Sequence, residues 1–140
     1  MRALLELARA GEGEAMQISE ISERQRIPKK FLEQILLDLK HHGILQSRRG
    51  KHGGYALLRD PGQVTFGQVM RIIDGPMAPL PCLSRMAYRR CEDCEDEESC
   101  AIRRVFSKAY DATARILDRT TLADAAASEA AAAAVSRQTA

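Results

Sequence analysis

The fold of this chain is decided by residues 18–58, which read ISEISERQRIPKKFLEQILLDLKHHGILQSRRGKHGGYALL. The pattern predicts a short helix from Ile18, a turn at Arg26–Ile27 and a second helix that Pro28 begins and Gly43 ends. The second helix carries an apolar face at helical spacing, made of Phe31, Leu32, Ile35, Leu36 and Leu39. Two short helices, a tight turn and a basic second helix are typical of a helix-turn-helix, whose second helix enters the major groove of DNA. For this stretch alone, the alternative is an ordinary helical hairpin with a solvated basic face.

A basic, glycine-rich hairpin follows the second helix directly and favours the DNA-binding interpretation. Residues 44–47 and 55–58 are predicted strands, and the glycines between them permit a tight turn. The segment from Arg24 to Lys51 has eight basic and two acidic residues, in a chain whose formal net charge is only +2. Basic residues on such a wing neutralise phosphates or enter a narrow minor groove. The predicted DNA-contacting residues are Lys29, Lys30, Glu33 and Gln34 on the helix, and Arg48, Arg49, Lys51 and His52 on the wing.

The predicted fold class is therefore mainly α with a small β-hairpin wing: a winged helix-turn-helix DNA-binding domain plus a long dimerisation helix. We assign residues 1–75 to the DNA-binding domain, 76–100 to a cysteine-rich loop that binds a metal or cluster, and 101–124 to the dimerisation helix and a short C-terminal element. The alanine-rich residues 125–140 lack a bulky apolar stripe and are predicted to be disordered.

The long helix has an apolar stripe that needs a partner surface. The economical partner is its copy in a second subunit, because DNA readers of this kind bind two half-sites as dimers. We therefore expect a homodimer on a pseudo-palindromic double-stranded operator. The predicted dimerisation residues are Ile102, Phe106, Ala109, Thr113 and Ile116.

All four cysteines lie between residues 82 and 100, with the spacing C-x8-C-x2-C-x5-C. Thiolates are soft ligands that select zinc, copper(I) or iron–sulfur clusters. A four-cysteine zinc site usually has two short pairs, whereas only Cys91 and Cys94 form one here. The longer, uneven outer spacings are typical of loops that wrap cluster irons. The candidate metal ligands are Cys82, Cys91, Cys94 and Cys100, and an iron–sulfur cluster, a structural zinc and a thiol or disulfide switch remain open.

Composition excludes several other classes of protein. The chain has 140 residues, 45% of them hydrophobic, which suits one globular domain. No apolar run reaches the roughly 18 residues of a membrane span, and the start lacks a signal-peptide pattern. We expect no membrane partner and a reducing, cytoplasmic location, where grouped cysteines more often bind metal or sense redox state. We expect no enzyme, because no thioredoxin context surrounds Cys91 and no Ser/His/Asp set or phosphate-binding glycine loop is present.

Several segments also resemble a known family: residues 31–36, 43–45, 47–50, 53–55, 73–76 and 121–124. They are similar to the Rrf-type winged-helix regulators, the bacterial family of IscR, NsrR, RirA and CymR, and the resemblance spans residues 1–124. It implies a homodimeric transcription factor, which we expect to be a repressor. It also implies a cysteine-ligated iron–sulfur cluster, of the 2Fe–2S or 4Fe–4S type, that senses iron, redox state, oxygen or nitric oxide.

The chain departs from the family pattern in two places. Members of the family carry a short extension before the segment that matches residues 3–7, so we expect residues to be missing there. Members also carry three cysteines, and IscR adds a histidine soon after the third. This chain has Arg103 and Arg104 in that region and offers a fourth thiolate instead. The departure makes an all-cysteine cluster coherent and leaves zinc as the alternative.

Overall fold

The structure is a computed structural model that describes residues 1–11, 13–50 and 53–138. Within these residues, six helices and one antiparallel hairpin follow one another, with 3-10 turns at Pro61–Gln63 and Pro81–Leu83. They are α1 (Arg2–Ala10), α2 (Ile18–Gln25), α3 (Lys29–His41), β1 (Leu45–Arg48), β2 (Gly54–Leu57), α4 (Phe66–Ile73), α5 (Ala101–Arg119) and α6 (Leu122–Gln138). The mainly α fold with a hairpin wing is as predicted.

The helix-turn-helix is made by α2 and α3. Helix α2 ends because Arg26 adopts a left-handed conformation, with φ of 52°. The hydroxyl of Ser22 donates a hydrogen bond of 2.7 Å to the carbonyl of Ile27 and closes the turn. Leu32, Leu36 and Leu39 are buried on α3, as predicted.

The apolar face predicted for α3 is wrong at one position, Phe31. Its side chain is 63% exposed, whereas Leu32 beside it is fully buried. Successive helical positions are about 100° apart, so the inner side of α3 accommodates Leu32, Leu36 and Leu39 and leaves Phe31 on the flank.

The wing pairs β1 with β2 in a register that sets Leu45 opposite Leu57 and Arg48 opposite Gly54. Met16, which precedes α2, forms an antiparallel bridge with Tyr55 of β2. The two residues exchange two backbone hydrogen bonds of 2.9 Å. This close approach needs glycine at position 54, where φ is +149° and a Cβ atom would overlap the backbone of Met16. The base of the wing is thereby fixed against the start of the helix-turn-helix.

One core joins the N-terminal helices, the wing and the last helix. Its largest fully buried side chains are Leu4, Leu7, Ile21, Leu32, Leu36, Leu39, Ile44, Leu45, Val64 and Leu122. Burial of a leucine side chain stabilises a fold by about 1.5–3 kcal/mol. Because Leu122 is among these residues, the C-terminal helix shares one core with the helix-turn-helix and the wing.

The predicted disorder of residues 125–140 is wrong for residues 125–138, because α6 continues to Gln138; residues 139–140 lie outside the described part of the chain. A reciprocal cap starts this helix. The backbone N–H and hydroxyl of Thr121 donate to the carboxylate of Asp124, and the N–H of Asp124 donates to the Thr121 hydroxyl. Alanine has the highest helix propensity of the amino acids. Ala125 packs on the core and Glu129 pairs with Arg9 of α1, so α6 has an anchor that the alanine run itself does not reveal.

The C-terminal end of α5 packs closely against α4. A Cβ atom on Gly67 would overlap the carboxylate of Asp118, and Arg71 pairs with that carboxylate at 2.7 Å. The rest of α5 is largely exposed: none of its described residues is fully buried, and those on one side are half-buried. Among the residues that the structure describes, no helix is both long and apolar enough to cross a membrane.

Candidate cysteine centre and DNA-binding surface

All four cysteines line one cavity of about 660 Å³ between the cysteine-rich loop and the start of α5. Its apolar walls come from Leu80, Pro81 and Ile102. Three arginines and three acidic residues also line it: Arg89, Arg90, Arg103, Glu92, Asp93 and Glu97. None of the four cysteines, all of which are described, forms a disulfide. The fold thus brings the four candidate ligands to one cavity, despite their uneven spacing in the sequence. Their ligation of a metal stays a prediction.

Cys82 reaches the cavity from a separate segment. It lies in the 3-10 turn Pro81–Leu83 and is buried. The N–H of Arg89 donates to the carbonyl of Pro81 at 3.2 Å, which ties this turn to the residues before Cys91. The chain therefore folds back as an all-cysteine site requires.

Cys91 and Cys94 belong to one tight turn, in which the N–H of Cys94 donates to the carbonyl of Cys91 at 3.4 Å. The guanidinium of Arg90 holds this turn by donating to the carbonyls of Cys94 and Glu95. The Cys91 thiol, together with desolvation and the Cys100 thiol, raises the pKa of Cys94 to about 11. A metal must therefore displace a tightly held proton from Cys94 when it binds.

Cys100 has the opposite electrostatic environment because it caps the N-terminus of α5. Its sulfur accepts a hydrogen bond of 3.5 Å from the backbone N–H of Arg103. This hydrogen bond is the largest of the causes that lower the pKa of Cys100. Helix N-termini stabilise thiolates in this way. Cys100 is thus the thiol best prepared to ligate as a thiolate.

Two acidic residues of the loop, Asp96 and Glu97, accept specific hydrogen bonds. Asp96 accepts the N–H groups of Glu98 and Ser99, and these hydrogen bonds lower its pKa. Glu97 accepts the Tyr88 hydroxyl at 2.9 Å. The Nε atom of Arg103 lies 3.8 Å from Glu97; it is buried and, among the residues that the structure describes, has no hydrogen-bond partner.

The donor set of this cavity suits a soft, thiolate-held metal group. In the described part of the chain, no group of three or more His, Cys, Asp or Glu side chains is arranged to hold a single metal ion. The cavity offers four thiols, with three arginines and three acidic residues beside them. Within the described residues, one buried N–H there makes no hydrogen bond. Four thiols around one volume fit a cysteine-ligated iron–sulfur cluster, and thiolates are also a ligand type that zinc accepts.

The predicted DNA-contacting residues are all exposed where the structure describes them. Lys30, Glu33 and Gln34 are exposed on α3, and Gln34 donates to the carboxylate of Asp38 at 3.1 Å. Lys29 and Arg48 line a groove of about 320 Å³ between the start of α3 and the wing, together with Ser19 and Ser47. Arg49 is exposed, and Lys51 and His52 lie outside the described residues.

The predicted dimerisation residues form an uncovered stripe along α5. Ile102 is 62% exposed, Phe106 43% and Ile116 66%, and Ala109 and Thr113 are also exposed. Val105, 67% exposed, belongs to the same apolar stripe by its i, i+3 and i+4 spacing, although the predicted dimerisation residues did not include it.

The helix-turn-helix, the basic groove beside its wing and the uncovered long helix define a winged-helix transcriptional regulator. The family model described as Rrf2, an iron-dependent transcriptional regulator, matches residues 1–128. The chain therefore belongs to the Rrf2 family of transcriptional regulators, as the sequence motifs indicated. These regulators are not enzymes, which agrees with the prediction that this chain is not one.

Individual relatives agree with this assignment. The chain is 49% identical over 127 residues to an HTH-type, rrf2-like transcriptional regulator of Rhodobacter capsulatus, across 89% of this chain and 85% of that protein. It is similar in structure to CymR, the global cysteine regulator of Bacillus subtilis, with a TM-score of 0.72 and 31% identity across 89% of this chain and 87% of that one. IscR of T. potens matches with a TM-score of 0.69 and 26% identity, across 88% of this chain and 77% of that one.

Proposed function

We propose that this protein is a homodimeric repressor whose binding to a pseudo-palindromic operator is controlled by an iron–sulfur cluster on Cys82, Cys91, Cys94 and Cys100. The observation that carries the proposal is the convergence of all four thiols on one cavity at the N-terminus of α5. The first and last of these cysteines are 18 positions apart in the sequence. Residues at that separation need not line the same cavity, so their convergence calls for a functional explanation.

The cysteines would hold the group, and their surroundings suit that task. Cys100 is favoured as a thiolate by its hydrogen bond at the helix start, and Arg89 and Arg103 line the same cavity as the thiols. A bound cluster would supply a group whose charge and integrity depend on iron, redox state, oxygen or nitric oxide.

The DNA-binding surface consists of the exposed face of α3 and the wing. Lys29, Lys30, Glu33 and Gln34 would face the major groove, and Arg48, Arg49, Lys51 and His52 would contact the backbone or the minor groove. Support comes from the groove that Lys29 and Arg48 line together, since a positive groove attracts phosphate.

The dimer would form along α5, through Ile102, Phe106, Ala109, Thr113 and Ile116. Contiguous exposed apolar surface of this kind usually marks an interaction site. The cysteine centre and the stripe share one helix, because Cys100 caps α5 and Ile102 also lines the cysteine cavity. Arg71 and Gly67 bind the far end of α5 to the DNA-binding domain. A change at the centre can therefore reach the orientation of both recognition helices through α5.

Anaerobic purification with an absorption spectrum and iron, sulfide and zinc analysis tests the proposal. We expect a brown protein that contains sulfide. Serine at Cys91, Cys94 or Cys100 should abolish the visible band, and Cys82→Ser should weaken the centre or make it sensitive to oxygen. If all four serine variants keep the metal content of the wild type, these cysteines are not the site.

The alternative is the same type of regulator with a structural zinc or a thiol switch. The tight turn that holds Cys91 and Cys94 favours the switch, because two neighbouring thiols can oxidise to a disulfide. A colourless protein with one zinc per chain would select zinc, and a metal-free protein whose operator affinity changes on oxidation would select the switch.

A further inference from the structure

Arg103 lines the cysteine cavity, and one of its N–H groups makes no hydrogen bond within the described residues. Its backbone N–H donates to the sulfur of Cys100 at 3.5 Å. Its side-chain Nε is buried and, within the described residues, makes no hydrogen bond. A buried N–H without a partner is costly in a folded protein, and such a group often marks a ligand or ion that belongs there.

Neighbouring side chains do not supply the hydrogen bond that Nε lacks. Glu97 is the carboxylate beside Arg103, but the 3.8 Å between Nε and its Oε2 atom is too long for a hydrogen bond. The other oxygen of Glu97 accepts the Tyr88 hydroxyl, which holds the carboxylate away. Arg90, also at the cavity, already donates to the carbonyls of Cys94 and Glu95.

We propose that the Nε–H of Arg103 donates a hydrogen bond to an anionic sulfur of the cluster held by the four cysteines, and thereby sets the reduction potential and retention of that cluster. The inference rests on the proposed function. A charge-assisted hydrogen bond from arginine stabilises negative charge more than a neutral donor does. Hydrogen bonds to the sulfurs and nearby charge are among the means by which a protein tunes a cluster.

The test compares Arg103→Ala with Arg104→Ala in the full-length chain. Arg104 is the matched control, because it is exposed, carries the same charge and does not line the cavity. Reduction adds negative charge to the cluster, so Arg103→Ala should shift its midpoint potential to a more negative value. It should also lower the affinity for the metal centre about 10- to 100-fold, as loss of an outer-shell partner does. Arg104→Ala should leave both quantities close to wild type, and Arg103→Lys should lie between Arg103→Ala and wild type.

A second pair of variants separates direct donation from neutralisation of Glu97. In a Glu97→Gln background that carboxylate is absent, so an indirect role of Arg103 predicts that Arg103→Ala no longer shifts the potential. Direct donation predicts that the negative shift persists. Helical circular dichroism of every variant checks that α5 remains folded.

The outcomes distinguish the inference from the proposed function. A brown wild-type protein whose potential and iron retention are unchanged by Arg103→Ala overturns the inference alone, as does a shift that disappears in the Glu97→Gln background. A colourless wild-type protein without sulfide overturns the inference and the proposed function together.

Discussion

Phe31 is a large apolar side chain that is exposed on the proposed recognition helix, α3. Its phenyl ring is 63% exposed in the first turn of α3, between Lys30 and the buried Leu32 and three residues before Gln34. Phe31 lies beside the polar residues that are proposed to contact bases. In the major groove, the C5-methyl group of thymine is the part of a base that apolar side chains contact.

We therefore predict that Phe31→Ala loses affinity at one or two thymines of the operator and leaves the fold intact. The measurement compares operators in which single thymines are replaced by deoxyuridine, which lacks the methyl group. Loss of one methyl contact, worth about 0.8 kcal/mol, should weaken wild-type binding about fourfold. The same replacement should not further weaken Phe31→Ala.

Leu58→Ala is a suitable control, because Leu58 is also largely exposed but lies beyond the wing strands. Its thymine profile should equal that of the wild type. If every thymine-to-deoxyuridine replacement weakens binding of Phe31→Ala as much as it weakens binding of the wild type, the ring contacts no thymine.

At the scale of elements, α6 depends on its cap. The carboxylate of Asp124 accepts both the hydroxyl and the N–H of Thr121, and these bonds lower the pKa of Asp124. Since the pKa is lower in the folded state, this contribution to stability is fully present above the ordinary carboxyl pKa. It is lost as the pH falls through the folded-state value.

We predict that Asp124→Asn lowers the free energy of unfolding near neutral pH, and that the difference from wild type shrinks in acid. Urea unfolding followed by helical circular dichroism at several pH values measures this. Glu23→Gln, which removes a carboxylate near the end of α2, is the control. If Asp124→Asn is as stable as wild type at neutral pH, the cap does not stabilise α6.

The second prediction at this scale concerns the α5 stripe. Ile116→Glu places a charge on the proposed dimer seam, and an unpaired ion is costly to bury. We predict a monomer in light scattering, with the helical circular dichroism of the wild type.

Lys108→Glu is the control for that charge, because Lys108 is exposed and lies on α5 about 120° away from the stripe. It should remain dimeric. A fully dimeric Ile116→Glu protein would exclude this surface as the subunit interface.

At the scale of the whole molecule, the charge distribution determines how the protein meets DNA. Replacing both Arg48 and Arg49 by alanine should weaken binding to all sequences alike. It should reduce the slope of log affinity against log salt by about two, since each phosphate contact contributes roughly 0.9. Binding titrations at several salt concentrations measure the slope.

Arg115→Ala combined with Arg119→Ala removes the same charge from α5, away from the proposed DNA surface. That pair should leave the salt slope unchanged. Equal slopes for the wing variant and wild type would mean that the wing does not contact phosphate.

The local elements of this protein follow from its sequence because their causes are local. The spacing of Leu32, Leu36 and Leu39 dictates a helix, and the glycines between two β-forming segments dictate a hairpin. The four cysteines in 19 residues likewise indicate a thiol site, whatever their arrangement in space. These features need no knowledge of distant parts of the chain.

Other features depend on contacts between residues far apart in sequence, and only the tertiary structure decides them. Helix α6 persists because Leu122 enters a core built 58 or more residues earlier, around Leu4, Leu36 and Val64. Phe31 is exposed because the inner side of α3 is already filled by its leucines. The role proposed for Arg103 arises because Tyr88 holds Glu97 beyond hydrogen-bonding distance, in a cavity that four separate cysteines enclose. Periodicity reports which side of a helix is apolar, but long-range packing determines which of those side chains find a partner.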